Sequence, residues 1–212
     1  MTALHCDGLE LKAGYKTLIK NFSCEVQFAE SVAVTGPNGL GKTTLLRTVC
    51  GVSKPYRGKV QLAGQTVWPS SGLRLEDGTV FYLASQPALF LDHSVLANLE
   101  FYMRCAGAEW NIDRVVRALG VVGLAERKMQ SVRTLSTGQK RRLSLAFLLL
   151  AQPKILLLDE PTNGLDSEGV ELCLKILGDL KKDSGTALIV ATHDPVLISW
   201  ATTKLELQKW QP

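Results

Sequence analysis

The stretch Gly36-Pro37-Asn38-Gly39-Leu40-Gly41-Lys42-Thr43-Thr44 fits the pattern GxxxxGK[ST] and constrains every other reading of the chain. The apolar run Ser31 to Thr35 precedes it and reads as a buried strand. Leu45 to Cys50 follows and reads as a helix ending at Gly51. Strand, glycine-rich turn and helix in that order turn the match into a phosphate-binding loop, as opposed to an incidental Gly-rich hairpin. Glycines let the backbone wrap a polyphosphate and aim N–H groups at it, and the helix N-terminus adds its positive dipole end. Lys42 supplies a mobile charge for the β- and γ-phosphates, and the Thr43 hydroxyl is placed for Mg²⁺. Four fixed positions match by chance in roughly one chain in a hundred of this length. A nucleoside triphosphate is the expected ligand.

A length of 212 residues allows one α/β domain, or a core with a small subdomain. The net charge of +4 suits an anionic ligand and is too small to argue for nucleic acid. Five cysteines (Cys6, Cys24, Cys50, Cys105, Cys173) are scattered without a CxxC pair, which fits reduced thiols in a cytosolic compartment and argues against a zinc site. Met1 to His5 has no basic or apolar leader pattern, and no apolar stretch approaches the ~20 residues that span a bilayer. A protein of this kind reaches a membrane only through a partner.

Taken in order, Leu4 to Phe28 alternates like an antiparallel β element, broken by the turn Ala13-Gly14-Tyr15-Lys16. Tyr15 could stack on adenine through its ring face, or cap the turn. Lys59 to Leu62 alternates as a short strand, Gly64 to Gly78 reads as a polar loop holding Trp68, and Thr79 to Leu83 is a compact strand. Gln86 stands just past that strand's C-terminal edge, where parallel sheets bind ligands. Its amide oxygen could reach Mg²⁺ or an attacking water; taken alone, a surface glutamine before a proline turn is the plainer reading. From Leu89 to Arg133 the pattern is helical. One helix runs over Ser94 to Met103 with Ser94 as N-cap, and a second over Asn111 to Leu119 stops at Gly120. These helices read as an insertion into an α/β chain.

Leu135-Ser136-Thr137-Gly138-Gln139 then opens a helix with the basic start Lys140-Arg141-Arg142, read as a solvated or phosphate-facing surface and not a nucleic-acid patch. Ser136 and the free N–H groups of this helix start make a second anion site. Ile155 to Leu158 is an apolar strand that delivers Asp159 and Glu160 at its C-terminal end. Thr186 to Ala191 is another buried strand, ending at Thr192-His193-Asp194.

Together these residues resemble the ATP-binding cassette (ABC) ATPases, and the matching motifs run from Tyr15 to His193. The resemblance implies a P-loop NTPase (RecA-like) α/β core at 1–86 and 152–212, with an antiparallel β element and a helical subdomain at about 87–151. Gly36 to Thr44 and Tyr15 would hold ATP. Ser136, Gly138 and Gln139 resemble the signature motif, which closes over the ATP of a second copy. Asp159 resembles the Walker B aspartate, holding Mg²⁺ with Thr43 and Gln86, and Glu160 the carboxylate that primes water. His193 resembles the switch histidine at the γ-phosphate, and Thr162 to Asp166 the loop through which Asp166 reaches the shared nucleotide. Thr137, Phe147 and Leu40 depart from the usual motif residues. The implied protein is the ATP-hydrolysing subunit of a transporter, cytoplasmic and peripheral on a membrane through a separate permease. Short length and stretches such as Ala97 to Arg104 resemble the small ATPase of heme exporters in cytochrome c maturation. A soluble ABC ATPase of a cluster-assembly system is the alternative, and no nucleic-acid partner is expected.

Overall fold

The computed structural model describes residues 1–68 and 78–212. The first part of the chain forms β1 (Thr2–Ala13), β2 (Lys16–Gln27), β3 (Ser31–Thr35), α1 (Lys42–Val49), β4 (Arg57–Leu62) and β5 (Gln65–Trp68). Then come β6 (Val80–Leu83), α2 (Val95–Cys105), α3 (Ile112–Val121), α4 (Thr137–Ala151), β7 (Ile155–Asp159), α5 (Ser167–Asp183), β8 (Ala187–Ala191), α6 (Pro195–Trp200) and β9 (Thr203–Glu206). Two sheets result. One is antiparallel in the order β2-β1-β4-β5, the other parallel in the order β6-β7-β8-β3-β9.

Strands β3, β7 and β8 are buried at every residue, because the parallel sheet is covered on both faces. The strand period of two splits their side chains between two cores. Leu156 and Leu158 of β7 face the helical core built from α2 to α5. Ile155 and Leu157 face the second core, which joins α1 to the antiparallel sheet. Helix α4 is buried around most of its circumference, packing against α2, α3 and α5. Among its buried residues is Phe147, whose ring centroid lies 4.5 Å from that of Tyr102. Residues 87–151 hold only helices and turns, apart from one isolated bridge between Ser94 and Ser131.

Three local expectations change. The stretch from Gly64 is not all loop: Gln65–Trp68 pairs with β4. Ala63 and Gly64 adopt φ of 48° and 78°, the left-handed pair that closes a two-residue hairpin. Val67 is buried on the core side, and the Trp68 indole N–H donates to the Thr48 carbonyl at 2.9 Å. Positions 69–77 of that expected loop lie outside the described residues. Helix α3 does not stop at Gly120 but passes through it to Val121, with Gly123 taking the left-handed turn beyond. Arg141 is not part of a solvated face; it is 2% exposed. Among the described residues no helix is long and apolar enough to cross a membrane.

Candidate functional site

Parallel strands all end on the same side, and β6, β7, β8 and β3 are neighbours. Their C-terminal ends therefore bring together Ser85, the pair Asp159-Glu160, the pair Thr192-His193 and the glycine-rich loop, at the edge where open α/β sheets bind ligands. Lys42, Thr43, Asp159, Glu160 and His193 line one cleft, with Ala13 and Leu18 of the β1–β2 hairpin at its border.

The loop wraps because Gly41 holds φ at 111° as the N-cap of α1, with no side chain spending the helix's first N–H groups. Leu40 is buried, and its Cδ2 lies where a Cβ on Gly36 would come within 2.6 Å. Its bulk thus points into the core. The Lys42 ammonium donates to the carbonyls of Gly36 at 2.6 Å and Pro37 at 3.3 Å, folding back on the loop. The Thr43 hydroxyl donates to Asp159 Oδ2 at 2.8 Å. Burial holds the Asp159 carboxyl above the usual carboxylate range; the Thr43 bond opposes this, and the neighbouring Glu160 charge adds to it. A hydroxyl and a buried carboxylate in contact are hard oxygen donors that fit Mg²⁺. Among the described residues no group of three or more His, Cys, Asp or Glu could hold a metal. A cation at Thr43 and Asp159 would complete its shell with phosphate oxygens and water, as Mg²⁺ prefers.

Glu160 is 9% exposed and sits at φ 47°, a left-handed backbone that costs a non-glycine residue of order 1–3 kcal/mol. Its carboxylate is held from one side. Oε1 lies 2.8 Å from His193 Nδ1, and Oε2 accepts from the Thr192 hydroxyl at 3.2 Å and the His193 N–H at 3.4 Å. An ionised carboxylate has no proton to give, so Nδ1 donates. Its two oxygens offer about four lone-pair sites, leaving room for a water. Thr162 Oγ1 in turn donates to Asp194 at 2.8 Å, tying the loop after Glu160 to the segment after His193.

A second, separate concavity is lined by Ser136, Gly138, Gln139, Arg142, Gly164 and Asp166. Ser136 and Gln139 form a capping box: the serine oxygen accepts from Gln139 N–H at 3.2 Å and Gln139 Oε1 from Ser136 N–H at 3.0 Å. The serine proton remains available to an outside acceptor. Asp166 caps α5 through Gly169 N–H at 2.9 Å and pairs with Arg142 at 3.0 Å. Both hold its carboxyl below the ordinary range, the Gly169 bond first.

The cleft thus gathers Gly39, Gly41 to Thr44, Asn38, Asp159, Glu160 and His193, while Ser136, Gly138, Gln139 and Asp166 lie in the other concavity. Pro37 borders a neighbouring hollow. Tyr15 is wholly exposed at the hairpin tip. Gln86 is exposed one residue beyond Ser85, and it is Ser85 that lines the cleft. Three participants carried no sequence signal of their own. Thr192 holds Glu160, Asn163 lines the cleft, and Arg141 donates to the backbone of Ala84, Ser85 and Glu160. The strand end Thr192-His193-Asp194, the loop Thr162 to Asp166 and the run Lys140-Arg141-Arg142 marked their neighbourhoods but not these three side chains.

The family model described as ABC transporter matches residues 19–163, more than half of the chain. The Cytochrome c biogenesis ATP-binding export protein CcmA of Nitrosomonas europaea is 38% identical over 194 residues, covering 92% of this chain and 90% of that protein. The Taurine import ATP-binding protein TauB of Pseudomonas aeruginosa is 37% identical over 187 residues, covering 87% of this chain and 68% of its own length. The dimeric, ADP- and Pi-bound structure of the ATP-binding cassette MJ0796 superposes with a TM-score of 0.84 at 23% identity, covering 96% of this chain and 94% of that one. That last likeness is one of fold, a P-loop NTPase core with an antiparallel sheet beside it. The family match and the two curated relatives carry the conclusion: this chain belongs to the ABC transporter ATP-binding family.

Proposed function

We propose that this chain binds ATP with Mg²⁺ and hydrolyses it to drive a separate membrane permease. The observation that supports this best is the grip of His193 and Thr192 on Glu160, beside Lys42, Thr43 and Asp159 in one cleft. With a triphosphate on the loop, Glu160 takes a proton from water as its oxygen attacks the γ-phosphorus. The bond to the bridging oxygen breaks and ADP leaves. Lys42 and the N–H groups of the loop balance charge on the phosphates, and His193 keeps the carboxylate aimed. Mg²⁺, bound at Thr43 and Asp159, would supply further charge neutralisation.

The test is Glu160→Gln, which keeps shape and loses the basic oxygen. ATP affinity should stay within about twofold of wild type while turnover falls at least roughly a hundredfold. Turnover near wild type removes Glu160 from the base role.

The permease reading draws on the family and on an exposed apolar patch. Phe90 and Phe101 are 43% and 45% exposed, with ring centroids 4.7 Å apart. Buried Asn98 fixes that segment by accepting from Phe90 N–H at 2.8 Å and donating to its carbonyl at 3.0 Å. For cargo we favour an export step in cytochrome c biogenesis, because the likeness to CcmA runs nearly end to end in both chains. A multispanning partner co-purifying from detergent-solubilised membranes supports transport; a soluble scaffold supports a cluster-assembly role.

A further inference from the structure

The second turn of helix α4 carries three consecutive cations, Lys140, Arg141 and Arg142, and the middle one is buried. Arg141 is 2% exposed, a placement that is costly for a charge unless strong acceptors surround it. Its acceptors are carbonyl oxygens of the main chain: Ala84 at 3.0 Å, Ser85, and Glu160 at 3.3 Å. Its hydrogen-bond partners are all main-chain carbonyls, and the charge of Asp159 also favours the cationic guanidinium. The two segments it grips are those that end β6 and β7 at the cleft. One leads into Gln86; the other is the backbone of Glu160 itself.

Two further contacts fasten the same end of α4 to the loop after Glu160. Gly138 approaches so closely that a Cβ there would meet the Gly164 carbonyl at 2.9 Å. Thr137 Cγ2 lies 3.0 Å from where a Cβ on Gly164 would sit, so the threonine covers that glycine. Gly164 holds φ at 80°, which keeps the position open to that approach. Arg142 adds the 3.0 Å pair with Asp166. The start of α4 and residues 160–166 are therefore held together at three points, one of them the Arg141 guanidinium on the Glu160 carbonyl. Glu160 occupies a left-handed backbone that surrounding contacts must enforce, and the Arg141 fork supplies one of them.

We infer that Arg141 is a positioning residue for hydrolysis: its guanidinium locks the start of α4 to the backbone of Ser85 and Glu160, so the signature helix sets where the water-priming carboxylate points. This inference rests on reading Glu160 as that carboxylate. It is distinct from a role in stability, and the chain contains its own control. Arg114 also donates to a carbonyl of α4, that of Leu150 at 3.2 Å, but at the far end of the helix from the cleft.

The experiment compares wild type with Arg141→Gln, Arg141→Lys, Arg114→Gln and Glu160→Gln. Melting temperature, ATP affinity, KM and kcat are measured, the last two well below the lowest melting temperature. Arg141→Gln should lower kcat at least roughly tenfold with KM and ATP affinity within about twofold, since small displacements of a reacting group are expensive in rate. Arg141→Lys, a point charge without the planar fork, should fall between it and wild type. Arg114→Gln should keep kcat while losing melting temperature. An Arg141→Gln kcat within about twofold of wild type overturns the inference, as does a loss no larger than that of Arg114→Gln. If Arg141→Gln does not fold, Arg141→Lys decides by the same criteria. If neither folds, Arg141 serves stability alone and the inference falls. Wild-type turnover in Glu160→Gln would instead remove the reading of Glu160, whereas a dead Glu160→Gln beside active Arg141 variants removes only the role given to Arg141.

Discussion

At the scale of single residues, Asp159 shows what the cleft costs. Its carboxyl is 2% exposed, and burial lifts its folded pKa above the unfolded value. The ionised form is therefore disfavoured by folding. The penalty is present at pH above the folded pKa and disappears as pH falls through it. The hydrogen bond from Thr43 offsets part of it, and a divalent cation between the two would offset more. Asp159→Asn removes the charge and keeps an oxygen that accepts from Thr43. In metal-free buffer at neutral pH this variant should melt a few degrees above wild type. It should also lose the added melting temperature that Mg²⁺ confers in the presence of ATP. A scan in which Asp159→Asn melts below wild type, or keeps the full response to Mg²⁺, contradicts the assignment.

At the scale of elements, the starts of α1, α4 and α5 border the two concavities, and their caps are testable. Asp166 caps α5, and its pKa is depressed by the Gly169 N–H and then by Arg142. Its contribution to stability is thus complete above the unfolded carboxylate pKa and is lost as pH falls through the lower folded value. Asp166→Ala should melt below wild type at neutral pH, and the gap should close below about pH 4. A gap independent of pH would mean that packing, not charge, is at stake. The elements that sequence reveals are those whose local pattern equals their tertiary role. The glycine turn between Ser31–Thr35 and Lys42–Val49 is one, and the apolar run Ile155–Asp159 is another. The cap at Ser94 is read from a single side chain, which accepts from Ala97 N–H as expected, whereas Asn111, read as the first residue of the second helix, is instead its cap and accepts from Arg114 N–H. Strand β5 was hidden because its partner β4, not its own composition, makes Gln65–Trp68 a strand. Arg141 was hidden for a related reason. A basic run at a helix start looks solvated until the strand ends that supply its carbonyl partners are in place. For Gln86 the strand edge was legible, but how far its side chain extends toward the cleft depends on the turn that follows.

At the scale of the whole molecule, the glycine-rich loop and the capped start of α4, the two expected anion sites, lie in concavities that share no lining residue. One concavity holds the loop, the carboxylates and His193, which in the proposed function receive the triphosphate; the other holds the cap of α4. What the family resemblance implies is that the second concavity meets its phosphate only when another copy faces it. That requirement separates a sandwich dimer from a cap that merely stabilises α4, if the cap can be kept while its charge is changed. Ser136→Asp does this, since aspartate is as good an N-cap as serine. It also places a negative charge where the partner's γ-phosphate would lie. In a Glu160→Gln background, where ATP is bound but not consumed, light scattering on the eluted peak should report twice the single-chain mass with ATP and Mg²⁺. Adding Ser136→Asp should return the mass to that of one chain, with ATP affinity and melting temperature near those of Glu160→Gln alone. Persistence of the dimer in the double variant would mean that the copies meet elsewhere. A single-chain mass in Glu160→Gln at saturating ATP would mean that the capped end of α4 serves the fold and not the nucleotide.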